Sequence, residues 1–133
     1  MLKKLSMQEN YLFEYAVIRV VPRMEREEFL NVGVVLYCGK RKFLECRYHL
    51  DEGRLLAFSP SLDPEELQEH LNAVDAICKG AECRSPIAKL DAASRFRWLT
   101  ATRSTVVQAS KVHPGLSPDP AATLDKLFQE LVL

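Results

Sequence analysis

The sequence predicts an α+β domain, a mainly antiparallel sheet of about four strands with helices packed on one face. Two apolar runs rich in β-branched and aromatic residues, Tyr15 to Val21 and Val32 to Tyr37, stand close together near the amino end and read as paired central strands. Beyond Leu50 the apolar period lengthens from two toward roughly 3.6. Strands therefore cluster first and helices follow, the order of an α+β chain rather than of alternating βαβ units.

The first strand, Tyr11 to Val21, is apolar on both faces until Arg19, which places it inside the sheet. Pro22 ends it by removing an amide donor, and the charged PRMEREEFLN forms a solvated connection. The second strand runs from Asn31 to Cys38. Gly33 within it forgoes both packing and β-propensity, so it marks a bulge or a close approach to the backbone. GKRK then turns the chain into a third strand, FLECRYHL, making a hairpin around Gly39 to Arg41. A three-residue loop puts Val34 and Leu36 on one face with Leu44 and Cys46. Asn31, Gly33, Val35 and Tyr37 then share the other face with Phe43, Glu45 and Arg47.

DEGRLLAF has the period of a short helix. The next helix is better marked: Asp63 as N-cap, Pro64 in the first helical position, Glu66 at capping-box spacing, and Gly80 as terminator. Leu67, His70, Leu71, Val74, Ile77 and Cys78 form its apolar stripe. Between Ala81 and Thr105 no single period dominates, and a helix is expected around Asp91 to Thr100. Val106 to Val112 reads as a fourth strand and HPGLSPDP as a turn-rich connection. The last helix repeats the Asp-Pro start at Asp119 and buries Leu124, Leu127, Phe128 and Leu131. With helices on one face, the other is left to solvent, to the segment from Ala81 to Thr105, or to a partner chain.

The 133 residues suit one domain spanning 1–133, with 47% hydrophobic and 27% charged residues and no linker or repeat. Lys+Arg and Asp+Glu balance at 18 each, so the chain lacks the net basic charge that non-specific nucleic-acid or membrane-surface binding uses. No apolar run is long enough to span a bilayer, and no apolar segment follows the two lysines of MLKKLSMQEN as in a signal peptide. A cytoplasmic protein with reduced cysteines is expected, with no membrane association.

Motifs for chemistry are missing. The sequence has no phosphate-binding glycine loop, Cys-x-x-Cys pair, His-Glu-x-x-His helix or Gly-x-Ser-x-Gly elbow. Cys78 and Cys83, with His49 and His70, would supply four zinc-type ligands, but Cys78 belongs to an apolar stripe and the plainer reading is separate thiols. Cys38 and Cys46 stand about 13 Å apart in the expected register, too far for a disulfide. No catalytic residue, metal site or cofactor is assigned, and a hydrolase acting through His70 or Glu45 ranks last.

What stands out is polarity within strands: Arg19, then Asn31 and Gly33, then Glu45 and Arg47. The plain reading is an exposed sheet face with a cross-strand salt bridge. The sharper one is a partner or anion site formed by Arg19, Asn31, Gly33, Arg47 and Arg95, since Arg offers a planar donor fork and Gly admits a close approach. Arg95, Arg97, Trp98 and Arg103 interleave Arg with an aromatic ring as single-strand nucleic-acid binders do, or form an amphipathic helix with Trp98 in the core.

The first strand ending in Pro22, the Asn31-Val32-Gly33-Val34 motif, the Arg95-Phe96 pair and the ending from Asp119 through Leu131 resemble a bacterial family, domain of unknown function 3037. The resemblance covers nearly the whole chain and brings no catalytic residues with it. It implies a small companion of a HipA-like kinase. The expected function is thus a non-enzymatic binding or regulatory module acting with a protein partner or as a homo-oligomer. The alternative is a small nucleic-acid- or nucleotide-binding protein that sets an arginine cluster on phosphate.

Overall fold

In the computed structural model, which describes residues 9–80, 85–101 and 105–133, a five-stranded antiparallel sheet is built around β1 (Tyr11–Val20). β2 (Leu30–Cys38) pairs along one side of β1, and β3 (Phe43–Tyr48) pairs with β2. The other side of β1 is shared. β4 (Val107–Ala109) takes Ile18 to Val20, and β5 (His113–Ser117) takes Tyr11 to Tyr15. β1 is flanked on both sides, as its two-faced apolar pattern requires.

β5 corrects the expected turn-rich connection. Pro114 and Gly115 argue against a strand by composition, but an edge strand needs hydrogen bonds on one side only and tolerates Pro. Gly115 is needed because the buried Phe13 ring lies against it: a Cβ there would overlap the ring. Between β4 and β5 the chain stays attached through Ser110. Its amide donates to the Val17 carbonyl (2.8 Å) and its buried hydroxyl accepts from the Val17 amide (2.8 Å), standing in for a strand carbonyl at the break.

The hairpin register also differs from the three-residue loop. Cys38 pairs with Phe43, leaving four residues, Gly39 to Lys42, in the turn; Lys42 adopts φ 51 and its amide bonds to the Gly39 carbonyl (3.1 Å). One extra loop residue reverses the parity of β3, so Glu45 and Arg47 join Val34 and Leu36, while Leu44 and Cys46 join Val35 and Tyr37. A second parity change lies in β2. Ile18 pairs with Gly33 but Arg19 pairs with Asn31, so Val32 is the extra residue of a bulge. Asn31 is thereby carried to the face of Val34, and Gly33 stays with Val35.

Each α-helix among the described residues begins on an aspartate whose carboxylate accepts from backbone amides of the first turn. Asp51 caps α1 (Glu52–Phe58), Asp63 caps α2 (Pro64–Lys79), Asp91 caps α3 (Ala92–Leu99) and Asp119 caps α4 (Pro120–Leu131). α2 ends as expected on Gly80, at φ 65. Leu55 of α1, Leu67, Leu71, Ile77 and Cys78 of α2, and Phe96 and Leu99 of α3 pack with Ala16, Ile18, Val20, Val35 and Cys46 on one face of the sheet. The other face is covered by α4: Leu124, Leu127, Phe128 and Leu131 meet Phe13, Val34, Leu36 and Cys38.

The architecture is α+β, with three helices on the face expected to carry them all. The face left open by the sequence reading is closed by the chain's own last helix. β2 is apolar on both sides, and the amphipathic α4 covers its second side. No helix among the described residues is long and apolar enough to cross a membrane.

Candidate functional site

Four of the five residues singled out in the sequence lie in or beside the strands, and two parity changes decide which of them meet. Arg19, Asn31 and Arg47 stand on the α4 side of the sheet. Gly33 faces the opposite side, and Arg95 belongs to α3 in that opposite layer. The arginines therefore do not converge in one pocket.

Arg47 is occupied. Its Nε donates to Asp125 of α4 (3.2 Å) and its Nη1 to Glu45 (3.1 Å) and to the Cys46 carbonyl (3.0 Å). Partial burial works against its charge, and Glu45 and Asp125 more than offset that, holding the guanidinium above its ordinary pKa. The ion pair runs within β3, between Glu45 and Arg47, rather than across strands as the plainer reading expected, and Asp125 extends it to tie α4 to the edge strand.

Arg95 is occupied as well. Nη1 donates to the carbonyls of Ile77 and Cys78 (2.7 Å each) and Nε to that of Leu90 (3.0 Å). A cation that donates to two carbonyls of the last turn of α2 and to that of Leu90 is a helix stop, assisted by the negative pole of the helix. Gly80 is part of the same device, for the Arg95 guanidinium passes 3.3 Å from where its Cβ would stand. Arg95→Ala is expected to lower stability by about 2 kcal/mol by stranding those carbonyls, with Arg95→Lys intermediate. Urea denaturation reads this as a lower midpoint at constant slope, and a mutant as stable as the parent would remove the structural role.

Gly33 has both features anticipated for it. It flanks the bulge, and β3 approaches it so closely that a Cβ would meet the Arg47 carbonyl at 2.8 Å and Tyr48 Cβ at 3.0 Å. The approaching group belongs to the chain itself, and the backbone does not enter the positive-φ region at Gly33.

Arg19 and Asn31 remain. They are directly paired across β1 and β2. Asn31 Nδ2 donates to the Leu131 carbonyl (3.1 Å), fixing the end of α4, but its Oδ1 is buried without a hydrogen bond. Arg19 Nε is likewise buried and unbonded, and among the described residues Arg19 has no ion-pair partner. Its guanidinium instead lies 3.9 Å from the centroid of the Phe29 ring. Each unsatisfied buried polar atom costs about 1–3 kcal/mol, and adjacent positions here carry a spare donor and a spare acceptor.

Arg19 lines an open basin of about 280 Å³ with Met24, Glu27, Glu28, Phe29 and Gln108. The wall is the connection between β1 and β2, whose 3₁₀ turn (Met24–Arg26) closes on Glu27 at φ 55 and leaves Met24 53% and Phe29 46% exposed. Two large apolar side chains beside a cation that makes no ion pair among the described residues have the composition of a protein-contact surface. The expectation that this connection is merely solvated misses Phe29. The sequence signal available was Phe29 itself, an aromatic at the end of a charged stretch.

Cys38, Cys46 and Cys78 are free and buried. The Cys78 thiol beside Cys46, and then burial, push the Cys46 thiol far above its ordinary pKa, so it stays protonated. No cluster of metal-ligating residues occurs among the described residues; Cys83 and Arg103 lie outside them. His70 is at the surface rather than in the stripe of α2, and Trp98 is 38% exposed where Phe96 and Leu99 take the core. Both border an apolar hollow of about 80 Å³ over Val35, Val74, Ile77 and Leu99. Its polar lining is His70, Trp98 and Gln108, and no carboxylate among the described residues lines it.

A family model described as protein of unknown function (DUF3037) matches residues 15–132. No curated protein and no solved structure matches the chain.

Proposed function

Because the chain belongs to the DUF3037 family, whose description assigns no activity, we propose its function from its own side chains: a non-enzymatic binding or regulatory module that engages a protein partner through the Arg19–Phe29 basin. The observation that carries this is Arg19. Arg47 and Arg95 spend their donors within the fold, whereas Arg19 holds an unsatisfied buried donor beside the unsatisfied Asn31 acceptor and an exposed aromatic ring. A partner chain presenting a carboxylate together with an apolar side chain would supply a counter-charge to the Arg19 guanidinium and cover Met24 and Phe29.

The resemblance seen in the sequence makes a HipA-like kinase the first partner to test. Arg19→Met keeps the aliphatic stem and removes the guanidinium, so the mutant is expected to melt within about 1 kcal/mol of the parent. Calorimetric titration of the kinase should show affinity reduced about tenfold or more by Arg19→Met and by Phe29→Ala. Arg47→Met, away from the basin, should bind as the parent does. Equal binding by all variants, or no binding of the kinase or of any protein in a native extract, defeats the reading. Phosphate binding by an arginine cluster loses its geometric support, since the arginines occupy both layers. Oligonucleotide binding that falls steeply with salt would restore it.

A further inference from the structure

We propose that the amino-terminal end of the sheet, on the side of α2 and α3, is a homodimer interface. Among the described residues, α2 and α3 pack over the carboxyl half of β1 at Ala16, Ile18 and Val20, and beyond them the same sheet face continues without a helix. There Leu12 and Leu116 form a cross-strand pair, 61% and 67% exposed. Exposed aliphatic pairs on a sheet face are uncommon where nothing covers them, because apolar surface left in water forfeits the gain of burial. A hollow of about 420 Å³ is bounded by this pair, Glu14, Tyr37 and Lys40. Tyr37 makes a stiff wall, its ring stacked on Phe96 at 5.5 Å between centroids.

The occupant argued for is a second copy of this chain. The patch carries one acid, Glu14, and one base, Lys40, around an apolar centre, the charge content with which two copies related by a two-fold axis can set Glu14 of one against Lys40 of the other, as an isologous interface needs. The formal net charge of +0 means that two copies do not repel one another at long range. Pairing through the outer edge of β5 is the competing geometry. Pro114 lacks an amide donor and weakens that edge as a template, which leaves the sheet face as the contact.

Sedimentation velocity on the purified protein alone, at high micromolar concentration, tests the proposal independently of any partner at the Arg19 basin. The parent is expected at twice its 15.1 kDa mass, and Leu12→Asp and Leu116→Asp at the monomer mass with an unchanged far-ultraviolet dichroism spectrum. Glu14→Lys should weaken the dimer about tenfold by placing like charges together, and Glu14→Lys with Lys40→Glu should restore it. A parent that is monomeric throughout overturns the proposal. So does a dimer that neither aspartate substitution dissociates.

Discussion

Gly33→Ala is expected to destabilise the fold by about 2–3 kcal/mol, the upper part of the range for overpacking a filled core. The new Cβ would stand 2.8 Å from the Arg47 carbonyl and 3.0 Å from Tyr48 Cβ, with Ile18 Cδ1 at 3.3 Å on the third side. The two nearest atoms cannot swing away. The Arg47 carbonyl is strand backbone, and the Arg47 side chain is tied to Asp125 of α4, so relief requires β3 to separate from β2 or the bulge at Val32 to shift. The melting temperature should fall by roughly 5–10 °C. Gly53→Ala is the control: in α1, a Cβ there meets only Asp51 Oδ1 at 3.4 Å, and alanine should be neutral or stabilising by about 0.5 kcal/mol. If Gly33→Ala melted with the parent, the close approach of β3 would not be real in solution.

Leu124→Ala is the substitution expected to cost most, about 3–4 kcal/mol within the range for emptying a fully buried leucine site. Leu124 is 0% exposed and sits at the centre of the second cluster, against Phe13, Val34, Leu36 and Cys38. The cavity cannot close by sliding α4, because the carboxyl end of the helix is held twice: Asn31 donates to the Leu131 carbonyl, and Arg54 to that of Val132 (3.4 Å). Urea unfolding of the mutant, followed by tryptophan fluorescence and dichroism together, checks the value. A loss below 1 kcal/mol would mean that α4 is only loosely seated and that this sheet face waits for another chain.

These two experiments bear on the places where the sequence reading was strongest and weakest. Local signals were sound. The α+β order, the Asp-capped starts of α2 and α4, the Gly80 stop and the stripe of Leu124, Leu127, Phe128 and Leu131 all depend on neighbours within one or two turns. The polar set in the strands was recognisable too, since Arg and Asn among valines stand out in any register. Its grouping was not. A loop of four residues in place of three carried Glu45 and Arg47 to the other face, and the bulge carried Asn31 after them, so the two parity errors cancel for Asn31 and leave Gly33 alone on the opposite side.

The sequence by itself determined which segments are helices, where most of the strands begin and end, and that Gly33 must serve a backbone need. Capping, proline geometry and apolar period act over a few residues and leave their mark there. The tertiary structure decided the rest. It made a strand of His113 to Ser117 because β1 had an unfilled half-edge, put α4 over the second face, and assigned Arg95 to the carbonyls of α2 while leaving Arg19 Nε without an acceptor among the described residues. Those outcomes depend on contacts between residues far apart in the chain, such as Asn31 with Leu131 and Val17 with Ser110. Strand parity, in which a single added residue reverses every side chain that follows, is fixed only when the partners meet.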